Sequence, residues 1–387
     1  MTDILVLGGG YTGLAAAIRV AARTRRSGVR VTLVNASARF TERLRLHQTA
    51  AGERLADHSL TDVLAGSGVT FAQGRVAGLD VEGHEARLDD GRTLRYDRLI
   101  YALGTVTDLS TPGAAEHACT FDDHGGAVRL SRRLDELPGG PVGAGTVAVV
   151  GSGLTGVEAA TEIAEARPHL RVVLVGKGRP GAMMGERARA YLDAALARLG
   201  VEVRSGADVT KVLPGAVELA GGELIDADAT LWTAGTRGLP LAAASGLTVD
   251  ERGRIVVDGA LRSLSHPDVQ AVGDAAAVRL PFGVLHGTCQ SGIPTALHAA
   301  DALVSVLRGR APRDFRFGYV HQPVSLGRGD AVIQFTRPDD SPRRWYLTGR
   351  AAVAYKEAVS RSPLPTYRLL KRGLVPVRAF ALSAWPG

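Results

Sequence analysis

One phrase occurs twice in this chain and limits what it can fold into: a short apolar run, a glycine turn, a helix-period stretch and a second apolar run. The first copy is the run 4–7, the turn Gly8-Gly9-Gly10-Tyr11-Thr12-Gly13, apolar positions Leu14, Ala17, Ile18 and Ala21, and the run 29–34. The second is the run 146–150, the turn Gly151-Ser152-Gly153-Leu154-Thr155-Gly156, a helical stretch over 157–165, and the run 171–175. A single glycine-rich turn is weak evidence. Two G-x-G-x-x-G turns in strand, turn, helix, strand order predict two Rossmann-like α/β units, each built to hold a dinucleotide. The first glycine (Gly8, Gly151) permits the tight turn, and the second (Gly10, Gly153) lets backbone approach phosphate. The third (Gly13, Gly156) lets helix and strand pack closely, and the helix N-terminus offers free N–H groups and a partial positive charge.

The rest of each half follows one plan. After the first copy come short strand-like runs at 69–72, 74–79, 86–88 and 93–94, with a hairpin turn at Asp89-Asp90-Gly91-Arg92. They lead into a run at 99–103 closed by Gly104. After the second copy, runs at 201–205, 211–213 and 216–219 lead to 229–232, closed by Ala234-Gly235. A further run at 269–272 ends in Gly273-Asp274 and precedes a helix over 293–307. The remainder holds a hairpin-like piece (324–335 and 345–348), a helical stretch near 351–360 and a basic tail. The expected division is a discontinuous first domain (1–110 with 240–314), a second domain (111–239) and a C-terminal region (315–387). Segment 138–145, rich in proline and glycine, reads as a linker. A length of 387 residues with 45 % hydrophobic and 22 % charged content suits two to three domains with real cores.

Charge excludes little by itself. The formal net charge is +7, carried almost wholly by arginine, and the lysines are Lys177, Lys211, Lys356 and Lys371. Basic residues are spread along the chain, with no zinc-finger spacing and no aromatic-rich ribonucleoprotein motif, so no nucleic-acid partner is expected. No metal site is expected either. The two cysteines, Cys119 and Cys289, are far apart and form no C-x-x-C, which argues against a redox dithiol. No window of about 18 apolar residues predicts a membrane span. The N-terminus runs straight into a strand without a leader, so a cytoplasmic protein is expected.

On the phrases Gly8–Gly13, 99–104, 151–158, Thr233-Ala234-Gly235 and Val272-Gly273-Asp274, which span roughly residues 1–300, the chain resembles the FAD-dependent pyridine nucleotide-disulfide reductase superfamily. Within it the chain is most similar to type II NADH:quinone oxidoreductases and apoptosis-inducing-factor-like flavoproteins. The resemblance implies a glutathione-reductase-like α/β fold: two Rossmann-like dinucleotide-binding domains and a small C-terminal α+β region. It implies FAD in the first unit, held by Gly8, Gly10, Tyr11, Thr12, Gly13, Asn35, Arg43, Gln48, Val76, Ala102, Gly104, Gly273, Asp274 and Gln290. It implies NADPH or NADH in the second, held by Gly151, Gly153, Leu154, Thr155, Gly156, Glu158, Lys177, Arg179 and Gly235. Glu158, Gln290 and His47 are the candidate catalytic residues. Plainer roles stay open beside these: Asp274 as a helix N-cap, Glu158 as a first-turn acid favoured by the helix dipole, and His47 as a structural hydrogen-bonder.

Three positions depart from the pattern. Asn35 stands where an acid normally ends the second strand, yet an amide can still serve ribose hydroxyls. Lys177 and Arg179 follow the strand end of the second unit, where an acid would favour NADH. Two cations there favour a 2′-phosphate, so NADPH is expected over NADH. Pro294 stands four residues after Gln290, where quinone reductases carry a second glutamine. The acceptor is therefore read as quinone-like or a small aromatic molecule. A specialised biosynthetic flavoenzyme with a dedicated substrate, and a non-enzymatic redox-sensing flavoprotein, are the alternatives. The tail mixes Arg368, Lys371, Arg372 and Arg378 with Leu369, Leu370, Leu374, Val377, Phe380 and Trp385. It either makes a peripheral contact on the inner face of the membrane or packs on the body or on a second copy, as in a homodimer.

Overall fold

The computed structural model describes residues 1–139 and 145–375. The first unit is a five-stranded, all-parallel sheet in the order Val269–Ala271, Arg98–Tyr101, Thr2–Leu7, Val29–Asn35, Val69–Gln73. Its central strand is an unbroken apolar run because both faces are covered: Ile4, Leu5, Val6 and Leu7 are all buried. The helix Tyr11–Thr24 lies on one face and packs against Cys289–Leu307. Its stripe of Leu14, Ala15, Ala17 and Ile18 is fully buried, and the small residues let the two helices approach closely. Each fully buried Leu or Ile contributes roughly 1.5–3 kcal/mol of transfer free energy.

The second unit repeats the plan. Its parallel sheet runs Ala118–Cys119, Ala229–Trp232, Thr146–Val150, Arg171–Gly176, Glu202–Ser205. Each unit also carries a three-stranded antiparallel meander: Val76–Asp80, Glu85–Leu88 and Thr93–Arg95 in the first, Val209–Leu213, Ala216–Leu219 and Leu224–Asp226 in the second. The chain passes between units twice, and the two crossings pair with each other as antiparallel strands, Thr105–Thr107 with Thr236–Gly238. Segment 138–145 is therefore not the passage between units. It lies inside the second unit, between the helix His124–Asp135 and the strand Thr146–Val150, and 140–144 fall outside the described residues. Proline and glycine there mark a break between elements, which is all that such composition encodes.

The C-terminal region is a three-stranded antiparallel sheet, His321–Ser325, Ala331–Thr336 and Pro342–Thr348, with the helix Gly349–Arg361 against it. Val324, Leu326 and Val332 join a core of the second unit. The helix Pro363–Lys371 then returns to the first unit, where Tyr367, Leu370 and Val375 are buried. Tyr367 donates from its hydroxyl to the Tyr11 carbonyl (3.0 Å), and Arg19 donates to the Val375 carbonyl (2.8 Å). The first part of the tail thus packs on the body. Val377, Arg378, Phe380 and Trp385 lie outside the described residues. Among the described residues no helix is long and apolar enough to cross a membrane.

Candidate active site

The two glycine turns have the same geometry. A Cβ on Gly13 would sit 1.8 Å from the Gly8 carbonyl oxygen, and a Cβ on Gly156 would sit 1.8 Å from the Gly151 carbonyl oxygen. Gly8 and Gly151 have φ of +105° and +118°, and a side chain on either would strike the neighbouring strand end, at Ala102 or Thr233. Gly10 and Gly153 behave oppositely: nothing lies within 4 Å of a Cβ on either, and both are exposed. Each turn is therefore closed behind and open in front. Neither Gly10 nor Gly153, the N-cap residues, offers a side chain to cap the helix that follows it. Thr12, Leu154 and Thr155 occupy the first helical turns.

Beside the first turn, Gly273 (φ +64°) brings its backbone so close to Thr12 that a Cβ would lie 2.7 Å from the Thr12 methyl. The next residue, Asp274, accepts no hydrogen bond among the described residues, and desolvation pushes its carboxyl above the usual range, against the pull of Arg43 and Arg254. Its carboxylate lies over Gly287, where a Cβ would meet Oδ1 at 2.6 Å. An open glycine cradle at a helix N-terminus and a half-buried, unpartnered carboxylate fit FAD, whose pyrophosphate and polyol hydroxyls match those two groups.

The other expected contacts have other partners. Asn35 accepts from Gly9 N–H (2.9 Å) and donates to the Ser37 carbonyl (2.8 Å), so its amide braces the turn. Arg43 donates to the Thr105 carbonyl (3.0 Å) and contacts Asp122 (3.3 Å), which ties it to a crossing strand near Gly104. Gln48 accepts from Arg45 Nε (3.0 Å). Val76 is half-buried in the first meander. Gln290 is closed on both sides: it donates to the His321 carbonyl (3.0 Å) and accepts from Val320 N–H (2.7 Å). Close to Asp274, His286 stacks on Tyr319 at 4.4 Å and places Nε2 3.1 Å from the buried carboxylate of Asp340.

His47 and Glu158 meet where all three parts of the chain join. The helix Leu46–Ala50 packs against His124–Asp135 and Leu154–Ala166, and Leu46 and Ala50 belong to the core of the second unit. His47 Nδ1 lies 3.8 Å from Glu158 Oε2. On its other oxygen Glu158 receives Lys356 Nζ (2.7 Å) and Ser325 N–H (3.0 Å). Burial pushes the Glu158 carboxyl up, but Lys356, His47 and the Ser325 N–H together outweigh it and hold it below the usual range. Lys356, itself buried, was legible only as one of four lysines on a helical stretch. No local pattern aims it at a glutamate nearly two hundred residues earlier in the chain.

At the open end of the second unit, Lys177 pairs with Asp208 (3.0 Å) and Arg179 with Asp193 (2.6 Å), all on the surface. Gly235 (φ +77°) closes the facing strand and comes near Asp108. Among the described residues no cluster of histidine, cysteine and carboxylates could hold a metal ion.

The pyridine nucleotide-disulphide oxidoreductase family model matches residues 2–302. The chain belongs to this family. It is an oxidoreductase whose cofactors are FAD and a nicotinamide dinucleotide. An NADH dehydrogenase-like protein of Mycobacterium tuberculosis is 34 % identical over 350 residues, covering 86 % of this chain and 87 % of the relative. The demethylphylloquinone reductase of Synechocystis is 27 % identical, covering 95 % and 94 % of the two chains. Among solved structures, the sulfide:quinone oxidoreductase of Aquifex aeolicus aligns with a TM-score of 0.81 at 18 % identity, over 97 % of this chain and 93 % of that one. As in the sequence reading, this member of the family has two cradles and no C-x-x-C dithiol.

Proposed function

We propose that the chain is an FAD-dependent NAD(P)H oxidoreductase with a quinone as electron acceptor. The observation that carries this is the matched pair of open cradles, Gly8–Gly13 and Gly151–Gly156, with the unpartnered Asp274 beside the first. The demethylphylloquinone reductase among its relatives supports the acceptor class. When bound, FAD supplies the chemistry, accepting hydride from the nicotinamide and passing two electrons on. The chain's own residues bind and orient. The turn backbones and helix N-termini hold the two pyrophosphates, and Asp274 accepts from polyol hydroxyls. Glu158, kept ionised by Lys356, sets a fixed negative charge on the helix that starts at the nicotinamide cradle.

The nucleotide is NADPH as well as NADH on this reading. No acid ends the strand Arg171–Gly176, and the exposed ion pairs of Lys177 and Arg179 are weak enough to yield to a 2′-phosphate. Replacing both cations with alanine is expected to lower kcat/KM for NADPH about tenfold per lost charge-assisted contact while leaving that for NADH unchanged. A narrower acceptor reading is favoured by one observation. The Gln290 amide is closed on Val320 and His321, and Pro294 supplies no second amide, so a dedicated small aromatic acceptor would be recognised by other groups, with His286 in place to do so.

The deciding experiment is anaerobic stopped-flow reduction with each nucleotide, followed by an acceptor panel. The purified protein is expected to be yellow, to bleach with NADPH or NADH, and to recover with simple quinones. A colourless protein that cannot be reconstituted with FAD overturns the proposal, and slow turnover with all simple quinones selects the narrower acceptor reading.

A further inference from the structure

The turn between the last two strands of the C-terminal sheet buries an aspartate that the proposed chemistry has not used. Asp340 stands there with φ +66°, in the left-handed region that residues other than glycine enter infrequently. It is 7 % exposed, and neither of its carboxylate oxygens has a hydrogen-bond partner among the described residues, although both are out of solvent. Backbone bonds fix the turn. Asp340 N–H donates to the Arg337 carbonyl (2.9 Å), and Tyr319 N–H donates to the Pro338 carbonyl (3.0 Å). Buried carboxylates normally find donors, and an outlying backbone conformation persists where the surroundings hold it for a purpose. Both features together mark Asp340 as a group placed for a partner rather than for packing.

The group beside it is His286. Its Nε2 lies 3.1 Å from Asp340 Oδ2, short of hydrogen-bond alignment, as is common before a ligand draws such a pair together. The ring is otherwise held in place. It stacks on Tyr319 with centroids 4.4 Å apart and planes 4° from parallel. The Tyr319 hydroxyl accepts from His286 N–H and donates to the His286 carbonyl, both at 3.1 Å. Burial pushes that hydroxyl up, so it stays a neutral donor. The outer edge of the imidazole is open: the side chain is 45 % exposed, and Nδ1 has no partner among the described residues. Phe282, which tilts against Tyr319, and Val320, next to Tyr319 in the chain, are exposed apolar side chains. The charged groups nearby are Asp274, whose carboxylate lies over Gly287, and Arg254, which donates to the Leu285 carbonyl (3.1 Å). Gly287 follows His286, so the ring borders the site assigned to the flavin polyol.

We propose that His286 and Asp340 form a dyad that selects acceptors carrying an acidic ring hydroxyl, the hydroxylated quinones. This rests on the proposed quinone reduction and narrows its substrate class. A carboxylate only accepts, so the imidazole nitrogen facing it carries the hydrogen, and the neutral ring presents Nδ1 as a bare acceptor. A quinone carbonyl is also only an acceptor and finds no donor there. A ring hydroxyl does fit. Its oxygen and Nδ1 share one proton, which comes from the hydroxyl itself, or from solvent where the quinone arrives as its anion. The imidazole that gains this proton keeps its Nε2 hydrogen toward Asp340, and the carboxylate offsets the new positive charge. No bond to carbon forms or breaks in this step. His286 touches the acceptor, and Asp340 is a positioning residue that acts through it.

The first test needs no turnover. 2-Hydroxy-1,4-naphthoquinone and its 2-methoxy ether, which has no such proton, are titrated into the full-length oxidised holoprotein by calorimetry. At about pH 8 the hydroxyquinone is an anion and an ordinary imidazole is neutral. The hydroxyquinone should bind about tenfold to a hundredfold tighter than the ether. Its binding should also take up about one proton, read from the dependence of the heat on the buffer. Equal affinities, or binding without proton uptake, overturn the dyad, and this comparison on wild type decides the matter even if a variant fails to fold. His286→Gln should lose both the preference and the uptake. Asp340→Asn should take up clearly less than wild type, whereas an aspartate with a merely structural role would leave the uptake intact, and that result overturns its part. In steady state the ratio of kcat/KM for hydroxyquinone over ether should fall toward one in His286→Gln, and an unchanged ratio overturns the dyad. Wild-type protein that neither nucleotide can bleach overturns the proposed function instead, so the two failures are distinguishable.

Discussion

At the residue scale, the first and third glycines of each cradle tolerate no added carbon. An alanine at Gly156 places its Cβ 1.8 Å from a carbonyl oxygen that belongs to the same turn, so the turn has to open. Overpacking of this kind costs roughly 1–3 kcal/mol. Gly156→Ala is expected to lower NADPH affinity about tenfold to a hundredfold with the flavin retained. Gly13→Ala should instead lower the flavin content. Flavin absorbance and nucleotide titration read the two effects separately, and equal loss of both ligands in both variants contradicts the assignment. Lys356 is a second such point. Lys356→Met leaves Glu158 buried without its strongest partner, for an expected loss of about 3–5 kcal/mol in urea unfolding at neutral pH. The sign follows from the lowered Glu158 carboxyl. Its stabilisation is present above the unfolded value of about 4.3 and is lost as pH falls through the folded one, so the gap between wild type and variant should narrow in acid.

At the scale of elements, the helix Pro363–Lys371 acts as a clamp on the first cradle helix. The Tyr367 ring lies edge-on to Phe40, which in turn is edge-on to Tyr11, the first residue of that helix, and the Tyr367 hydroxyl donates to the Tyr11 carbonyl. Tyr367→Phe removes one hydrogen bond, worth about 1 kcal/mol. Tyr367→Ala leaves a cavity as well, for a loss of about 3–5 kcal/mol by analogy with other large aromatics, and should release flavin at lower denaturant than wild type. Unfolding followed by flavin fluorescence checks both. Apolar runs and helix period marked most strands of the two parallel sheets and both cradle helices, because one face or both of each are buried, but not the short strand Ala118–Cys119 or the crossing pair Thr105–Thr107 and Thr236–Gly238. The clamp was not visible in that way, since a basic, leucine-bearing tail reads alike whether it covers a helix or a lipid surface.

At the scale of the whole molecule, the junction of the three parts is the pH-sensitive place. Glu162, raised to about 7, makes folding bind a proton: its contribution is fully present below the unfolded value of about 4.3 and is lost as pH rises through about 7. His47, lowered to about 4, acts oppositely, and stability gained from it rises between about 4 and 6.5. The two slopes offset in mildly acidic solution, leaving a decline from Glu162 toward neutral pH. Glu162→Gln removes that decline, so the variant should gain on wild type as pH rises from about 4.3 to 7, by on the order of 3 kcal/mol. Melting temperatures across that range check it, and a constant difference contradicts it.

The two α/β units, their order and their glycine turns were settled by local sequence. Glycine spacing and apolar runs act over a few residues, and backbone geometry at Gly8, Gly13, Gly151 and Gly156 permits no other residue type. The partners of side chains were settled only by tertiary packing. Asn35 and Gln290 carry amides that fit a ligand or a neighbouring backbone equally well, and the fold gave both to backbone. The row from Glu162 through His47 to Glu158 and Lys356 draws on three separate stretches of chain. Its ionisation depends on desolvation and on charges brought together across those stretches, and neither exists until the chain has folded.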